Sequence, residues 1–243
     1  MTVKAFLGLS VSLAVGFLLV GCDHAPGRPG PGPQVLRPEQ QLNFGTLYQS
    51  NCAGCHGSAG KQGPAIALAN PVYLALAGED TLKDITARGI RGSLMPAFAK
   101  SSGGMLTDQQ IQMLATGMMQ AWGRPNAVSA QDHPPYKAVL TGDPMRGRQQ
   151  FAASCSGCHG VDGIGTQTRH GERIGPIVDP SYLAIISDQG LRSFILAGLP
   201  DEGMPDWRSD STSAMTDQQI TDIVAWMASQ RGPGAGQPYS THP

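Results

Sequence analysis

The sequence predicts an all-α fold built as two tandem domains, and three observations lead there. A five-residue motif, C-x-x-C-H, occurs twice, as Cys52-Ala53-Gly54-Cys55-His56 and as Cys155-Ser156-Gly157-Cys158-His159. Beyond each copy the chain repeats itself at a fixed offset of 109 residues. Asn70-Pro71-Val72-Tyr73-Leu74-Ala75 matches Asp179-Pro180-Ser181-Tyr182-Leu183-Ala184, and Leu82, Gly89 and Met95-Pro96 match Leu191, Gly198 and Met204-Pro205. Each repeat then closes with the same helix start, Thr107-Asp108-Gln109-Gln110-Ile111 and Thr216-Asp217-Gln218-Gln219-Ile220. That pattern is a capping box, with a threonine N-cap, a glutamine three residues on and an aspartate facing the helix dipole. No apolar–polar alternation of period two competes with it.

The motif spacing has a chemical reading. Two thiols one helical turn apart can each bond one vinyl group of a porphyrin, and the next residue, a histidine, is then placed under the iron. A zinc site or a thioredoxin-type dithiol uses a similar cysteine pair. Two copies in an exported chain, each with an adjacent histidine, favour haem. The expectation is two covalently bound c-type haems, attached through Cys52, Cys55, Cys155 and Cys158, with His56 and His159 as proximal iron ligands. A porphyrin filling each small core also suits a chain with 6% aromatic residues and 32 glycines.

The start of the chain reads as a targeting segment. Lys4 gives a short positive region, and Ala5 to Val20 form an apolar stretch too short for a comfortable membrane span. Leu19-Val20-Gly21-Cys22 resembles the lipobox of bacterial lipoproteins, in which the signal peptide is removed before a cysteine that carries lipid. Of five cysteines, four belong to the haem motifs, and the one left over, Cys22, stands where a lipobox needs it. Residues 1–21 are therefore expected to be a lipoprotein signal peptide. Residues 22–37 are expected to be the lipidated cysteine and a Pro/Gly-rich spacer, since Ala25 to Pro33 suits neither helix nor strand. Diacyl anchoring is stable where one chain is marginal, so the expected location is the bacterial cell envelope. Asp23 resembles an inner-membrane retention signal, which puts the protein on the periplasmic face of that membrane.

The repeat sets the remaining boundaries. The motifs are offset by 103 residues and the later matches by 109, so repeat two gains six residues, net, before Asp179, around the polar stretch Thr166 to Arg173 containing His170. The first domain is expected at 38–124 and the second at 144–231. A proline-rich linker at 125–143 lies between them and a flexible tail at 232–243 follows. In each domain the haem motif is expected at the end of a first helix, with a middle helix starting after Asn70 or Asp179 and a last helix after Thr107 or Thr216. Net charge is −1, with no basic patch, so nucleic acid is not an expected partner. Residues 39–124 carry 6 basic and 5 acidic side chains, and 144–231 carry 7 and 10. Asp201, Glu202 and Asp206 surround Met204 and form either an acidic docking rim or a merely soluble surface. Arg88 and Arg91 form either a pair for a haem propionate or a solvated face.

The second axial ligand decides function. Met95 and Met204 both precede proline, which biases a residue toward an extended backbone. They sit between the middle and last helices, where a loop can point a thioether inward. A methionine opposite histidine raises the reduction potential; a methionine is otherwise a core filler. Met118 and Met227 lie within the last helices and read as packing, and Met215 reads as core. Gly63-Pro64 and Gly175-Pro176 follow the haem motifs, as ordinary turns or as carbonyl partners for the proximal histidines.

The order of these elements resembles class I cytochrome c, twice over, across nearly the whole mature chain. Repeat one, with Gly89-Ile90-Arg91-Gly92-Ser93-Leu94-Met95-Pro96-Ala97-Phe98, is similar to domains of the di-haem subunit of high-affinity haem–copper oxidases and to soluble di-haem cytochromes. The resemblance implies Met95 and Met204 as distal ligands and Pro64 and Pro176 as positions supporting the proximal histidines. Together with the lipobox at Cys22, it leads to the expectation of a membrane-tethered electron carrier between a quinol-oxidising complex or dehydrogenase and a terminal oxidase or reductase. Alternatives are a fixed electron-transfer subunit of an oxidase or dehydrogenase complex and a di-haem peroxidase-like enzyme. The family packs a first-helix glycine against a last-helix aromatic. Repeat two keeps this as Gly147 and Trp226, whereas repeat one has Phe44 and Gly117, so the large and small partners are expected to be exchanged across the crossing.

Overall fold

The computed structural model describes Gly32 and residues 35–129, 133–167, 173–208 and 214–232. The expected signal peptide, Cys22, His170 and the residues beyond 232 lie outside the described residues. Contacts divide the chain after Pro38. In the first unit Val35 and Leu36 are exposed. The second unit, residues 39–243, holds both repeats.

Repeat one contains α1 (Phe44–Asn51), α2 (Ala53–His56), α3 (Pro71–Arg88) and α4 (Asp108–Trp122). Repeat two contains α5 (Pro144–Ser154), α6 (Ser156–His159), α7 (Pro180–Ile185), α8 (Asp188–Ala197) and α9 (Asp217–Ser229). Both predicted capping boxes form, with the Thr107 and Thr216 side chains accepting from the Gln110 and Gln219 N–H groups. Asn70 and Asp179 cap α3 and α7, each ahead of a proline in the first turn, where a missing N–H does no harm. The six-residue gain in repeat two is flanked by a short antiparallel pair, β1 (Thr166–Gln167) with β2 (Arg173–Ile174), in the register Thr166↔Ile174. Among the described residues no helix is long and apolar enough to cross a membrane.

The expected single middle helix is broken in both repeats, at equivalent positions. In repeat one Gly78 interrupts α3 with φ 73° and ψ 161°. In repeat two the chain leaves helix at Ile186, and Ser187 begins α8 by accepting the Gly190 N–H at 3.1 Å. A serine hydroxyl at this place restarts a helix as readily as a glycine bends one.

The exchanged crossing is present. A Cβ on Gly117 would lie 2.2 Å from the Phe44 ring, and one on Gly147 would lie 1.9 Å from the Asp222 carbonyl oxygen and 2.9 Å from the Trp226 Cβ. A further aromatic completes repeat one. Trp122 packs on Phe44 and Tyr48 at centroid distances of 5.5 and 5.0 Å. Its indole edge would meet a Cβ on Gly60 at 2.9 Å, and the Trp226 indole edge would meet one on the equivalent Gly163 at 3.4 Å. An indole thus reaches the same glycine in both repeats from helix positions that do not align.

Within the expected linker at 125–143, Pro135 and Tyr136 are tied to the second repeat. Arg192, 1% exposed, donates to the Pro135 and Tyr136 carbonyls and to Thr221, and pairs with Asp217. Gln189 also donates to the Tyr136 carbonyl, and Tyr136 packs edge-on against Tyr73 of α3 at 6.1 Å. A buried guanidinium needs every donor occupied, and the linker carbonyls supply what one aspartate cannot.

The α5–α9 crossing is also held by charge. Asp222, 3% exposed, accepts from Arg146 at 2.8 and 3.0 Å and from the Asp143 N–H at 2.7 Å. Burial pushes its carboxyl up, but Arg146, the Asp143 N–H and Gln218 outweigh that and hold it below the ordinary value. A carboxyl depressed in the folded state contributes stability above its unfolded pKa, and that stability is lost as pH falls through the folded value. Thermal unfolding of repeat two should therefore become easier as pH drops below about 4. Asp222→Asn should flatten that slope, and an unchanged slope would remove Asp222 from the acid response.

Candidate haem sites

In the first site α1 leads straight into the motif. Cys52 ends α1 and opens α2, and is 8% exposed, whereas Cys55 faces solvent. His56, last in α2, is 7% exposed, and its Nδ1 lies 2.8 Å from the Ile66 carbonyl oxygen. Burial pulls this imidazole below its ordinary pKa, with the Ile66 carbonyl acting the other way. The ring is therefore neutral at pH 7, with Nδ1–H donating to Ile66 and the Nε2 lone pair left for a metal. Of the two readings of Gly63-Pro64, the turn is the one that forms, and the acceptor lies two residues further on, at Ile66. Gly63 folds back so closely that a Cβ there would sit 2.3 Å from the Cys55 carbonyl oxygen. The Ala65 N–H donates to that same oxygen at 3.0 Å, which brings the next residue, Ile66, under the ring.

The second site repeats the layout with different detail. Cys155 is half-buried and Cys158 exposed. His159 ends α6, and burial again lowers its imidazole. Its Nδ1 is buried and has no hydrogen-bond partner among the described residues, so nothing shown assigns Gly175 or Pro176 to it. The motif is braced from its other side, where the Gly165 N–H donates to the His159 carbonyl at 2.9 Å and the Thr166 hydroxyl to the Cys158 carbonyl at 2.7 Å.

These residues fit c-type haem. All four cysteines are free thiols, open to thioether formation rather than consumed in disulfides. Burial, and then the neighbouring cysteine, push Cys52 and Cys155 up to about 11. Two imidazoles follow them, His56 buried and His159 partly buried, both lowered in pKa by burial. No cluster of three or more His, Cys, Asp or Glu side chains suited to a bare metal ion exists among the described residues.

Met95 and Met204 are both half-buried on loops that return across the end of the middle helix. The Met95 carbonyl accepts the Ile90 N–H at 3.0 Å, and the Phe98 and Ala99 N–H groups bond to the Thr86 and Ala87 carbonyls of α3. The Met204 backbone exchanges two hydrogen bonds with Leu199, at 2.9 and 3.1 Å. In both repeats the loop lies on a glycine. A Cβ on Gly89 would be 2.6 Å from the Pro96 carbonyl carbon, and one on Gly198 would be 2.6 Å from the Met204 oxygen. Their dihedrals, φ 68°, ψ −170° and φ 64°, ψ −176°, belong to a region only glycine uses freely. Met118 and Met227 are buried inside α4 and α9, and Met215 packs against the core, as their spacing suggests.

The acidic rim is largely compensated. Asp201 pairs with Lys61 of repeat one at 3.1 Å, and Asp206 pairs with Arg208, whose guanidinium lies 4.8 Å from the Trp207 ring centroid. Glu202 stays exposed. Arg88 pairs with Asp84 one turn back, and Arg91 is exposed. The structure also adds residues that the motif reading missed. Ile66 acts through its carbonyl, which no side-chain pattern signals. Arg192 and Asp222 carry no local pattern that marks them as buried, and only tertiary packing buries them.

A family model described as cytochrome c oxidase, cbb3-type, subunit III matches the chain twice, at residues 40–131 and 142–227. The chain is 30% identical to the cbb3-type cytochrome c oxidase subunit FixP of Sinorhizobium medicae over 134 residues, 50% of this chain and 39% of that subunit. The match therefore spans well under half the length of that relative. It is 38% identical to cytochrome c6 of Leptolyngbya boryana over 72 residues, 29% of this chain and 80% of that protein. A solved structure of the Kuenenia stuttgartiensis reducing HAO-like protein complex aligns with a TM-score of 0.46 at 16% identity, over 84% of this chain and 100% of that one.

Proposed function

Since the chain belongs to the family of cbb3-type cytochrome c oxidase subunit III, a family of class I c-type cytochrome domains here present in tandem, we propose that it relays electrons through two haems to an oxidase-type acceptor. The observation that carries this reading is the family match across both repeats, each with its own C-x-x-C-H. When bound, each haem supplies a one-electron iron couple. Cys52 and Cys55, and Cys155 and Cys158, fix the two groups covalently. His56 and His159 would hold the iron through neutral imidazoles, and Met95 and Met204 through thioethers, which would favour the reduced state. Were a histidine and a methionine of the chain to hold each iron, no position would be left for a substrate, and on that ground relay is favoured over peroxidase-like catalysis. The donor is a quinol-oxidising complex or a dehydrogenase. Lipid on Cys22 holds the chain at the periplasmic face of the inner membrane, as a mobile carrier or as a subunit of an assembled complex.

The test is optical and magnetic spectroscopy of the holoprotein, with carbon monoxide added after reduction. The expected result is two equivalents of the sulfur-to-iron charge-transfer band and no carbon monoxide adduct. One haem that lacks the band and binds carbon monoxide would overturn the ligand assignment in that repeat and move the reading toward peroxide chemistry. In the same preparation, Cys22→Ser should shift the protein from the membrane to the soluble fraction. Retention in the membrane would refute the lipid anchor.

A further inference from the structure

The loop that follows His56 in repeat one touches the segment that leads to Met204 in repeat two. Lys61 pairs with Asp201 at 3.1 Å. Asn70, which ends that loop, is 5% exposed and uses both ends of its side chain. Its Oδ1 accepts from the Val72 and Tyr73 N–H groups at 2.9 and 3.3 Å, capping α3. Its Nδ2 donates across the repeat boundary to the Ala197 carbonyl at 2.9 Å and to the Gly198 carbonyl at 3.4 Å. These are terminal carbonyls of α8, which have no acceptor role left inside their own helix. Gly198 is also the residue on which the Met204–Pro205 backbone lies.

The second repeat separates the two roles of this side chain. Asp179, the equivalent of Asn70, caps α7 by accepting from Ser181 and Tyr182 at 2.8 and 3.1 Å. A carboxylate therefore suffices for the cap, and only an amide can also donate to two carbonyls. We propose that Asn70 is a positioning residue for the second haem site: it fixes the end of α8 and the Met204 strand lying on it, so ligation in repeat two depends on a residue of repeat one. The same loop carries the Ile66 carbonyl that holds His56, so one short segment serves the proximal histidine of the first site and the distal methionine of the second. This inference rests on Met204 being an iron ligand.

The experiment uses the full haem-loaded chain and three variants, read by the sulfur-to-iron band, by redox titration and by helix content. Met204→Ala sets the reference and should remove about half the band, one of two equal contributions. Asn70→Asp keeps the capping oxygen, as Asp179 does, but sets a carboxylate against two carbonyls. It should remove most of that same half and lower the midpoint potential of one haem, with the other haem and the helix content unchanged. Asn70→Ser keeps a capping hydroxyl without the charge and should give the same partial loss. If Met204→Ala halves the band while both Asn70 variants keep it whole and keep both potentials, Asn70 is a cap alone and the inference fails. If the Asn70 variants lose helix content together with the band, the role is structural and the inference fails too. If Met204→Ala leaves the band whole, the ligand reading and this inference fall together.

Discussion

Gly147→Ala should destabilise the second repeat by about 3 kcal/mol or more, the upper end of what overpacking does. The added methyl carbon would stand 1.9 Å from the Asp222 carbonyl oxygen, and backbone in the middle of α9 cannot step aside. α5 and α9 would have to separate, opening the Arg146–Asp222 hydrogen bonds and lifting Phe151 from Trp226, whose ring centroids are 4.4 Å apart. The matched substitution in repeat one should be milder. A Cβ on Gly117 meets the Phe44 ring, which can tilt, although Tyr48 and Trp122 limit how far. About 1–2 kcal/mol is expected there, whereas Gly117→Trp should overpack that crossing severely. Denaturant unfolding of the holoprotein compares the variants, and equal losses for Gly147→Ala and Gly117→Ala would mean that the two crossings are not built differently.

Gly198→Ala should act on the second site before it acts on the fold. Its backbone conformation alone disfavours any Cβ by about 1–3 kcal/mol, and the new atom would stand 2.6 Å from the Met204 oxygen and from Pro205. The Met204 strand is expected to shift away and release its sulfur. The sulfur-to-iron band should fall by about half, and the freed position should take up carbon monoxide after reduction. Gly203→Ala is the control. That glycine also has a positive φ, 77°, but open space around its missing Cβ, so about 1 kcal/mol of strain is expected with the band retained. Loss of the band in both variants would mean general softening of the loop rather than support by Gly198.

The two haem motifs, the repeat, the capping boxes and the Phe44–Gly117 exchange were legible because each is a local pattern or follows from aligning one repeat on the other. The break in the middle helix was partly legible. Ser187-Asp188 is an ordinary helix start and aligns with Gly78-Glu79, but the matches on either side suggested one continuous helix. The acceptor for His56 was not legible, since a carbonyl has no side-chain signature and the loop reaches the ring two residues beyond its proline. Arg192 and Asp222 were hidden for a related reason. A charge inside a helix looks solvated until the fold brings it a full set of partners. Asn70 was visible as a cap, and its second bond became visible only when the other repeat lay against it.

The indole of Trp122 and that of Trp226 settle on equivalent glycines although their positions in the chain do not align. Trp226 aligns with Gly117, and Trp122 aligns with Arg231. The two halves thus differ by a compensated exchange rather than by independent single positions. A chimera made by moving α4 alone into the second repeat would bring a second small residue to a crossing that already has Gly147, leaving a hole there. Moving α9 alone into the first would set Trp226 against Phe44. The exchangeable module is the first helix together with the last, and any shuffling of such domains has to carry both.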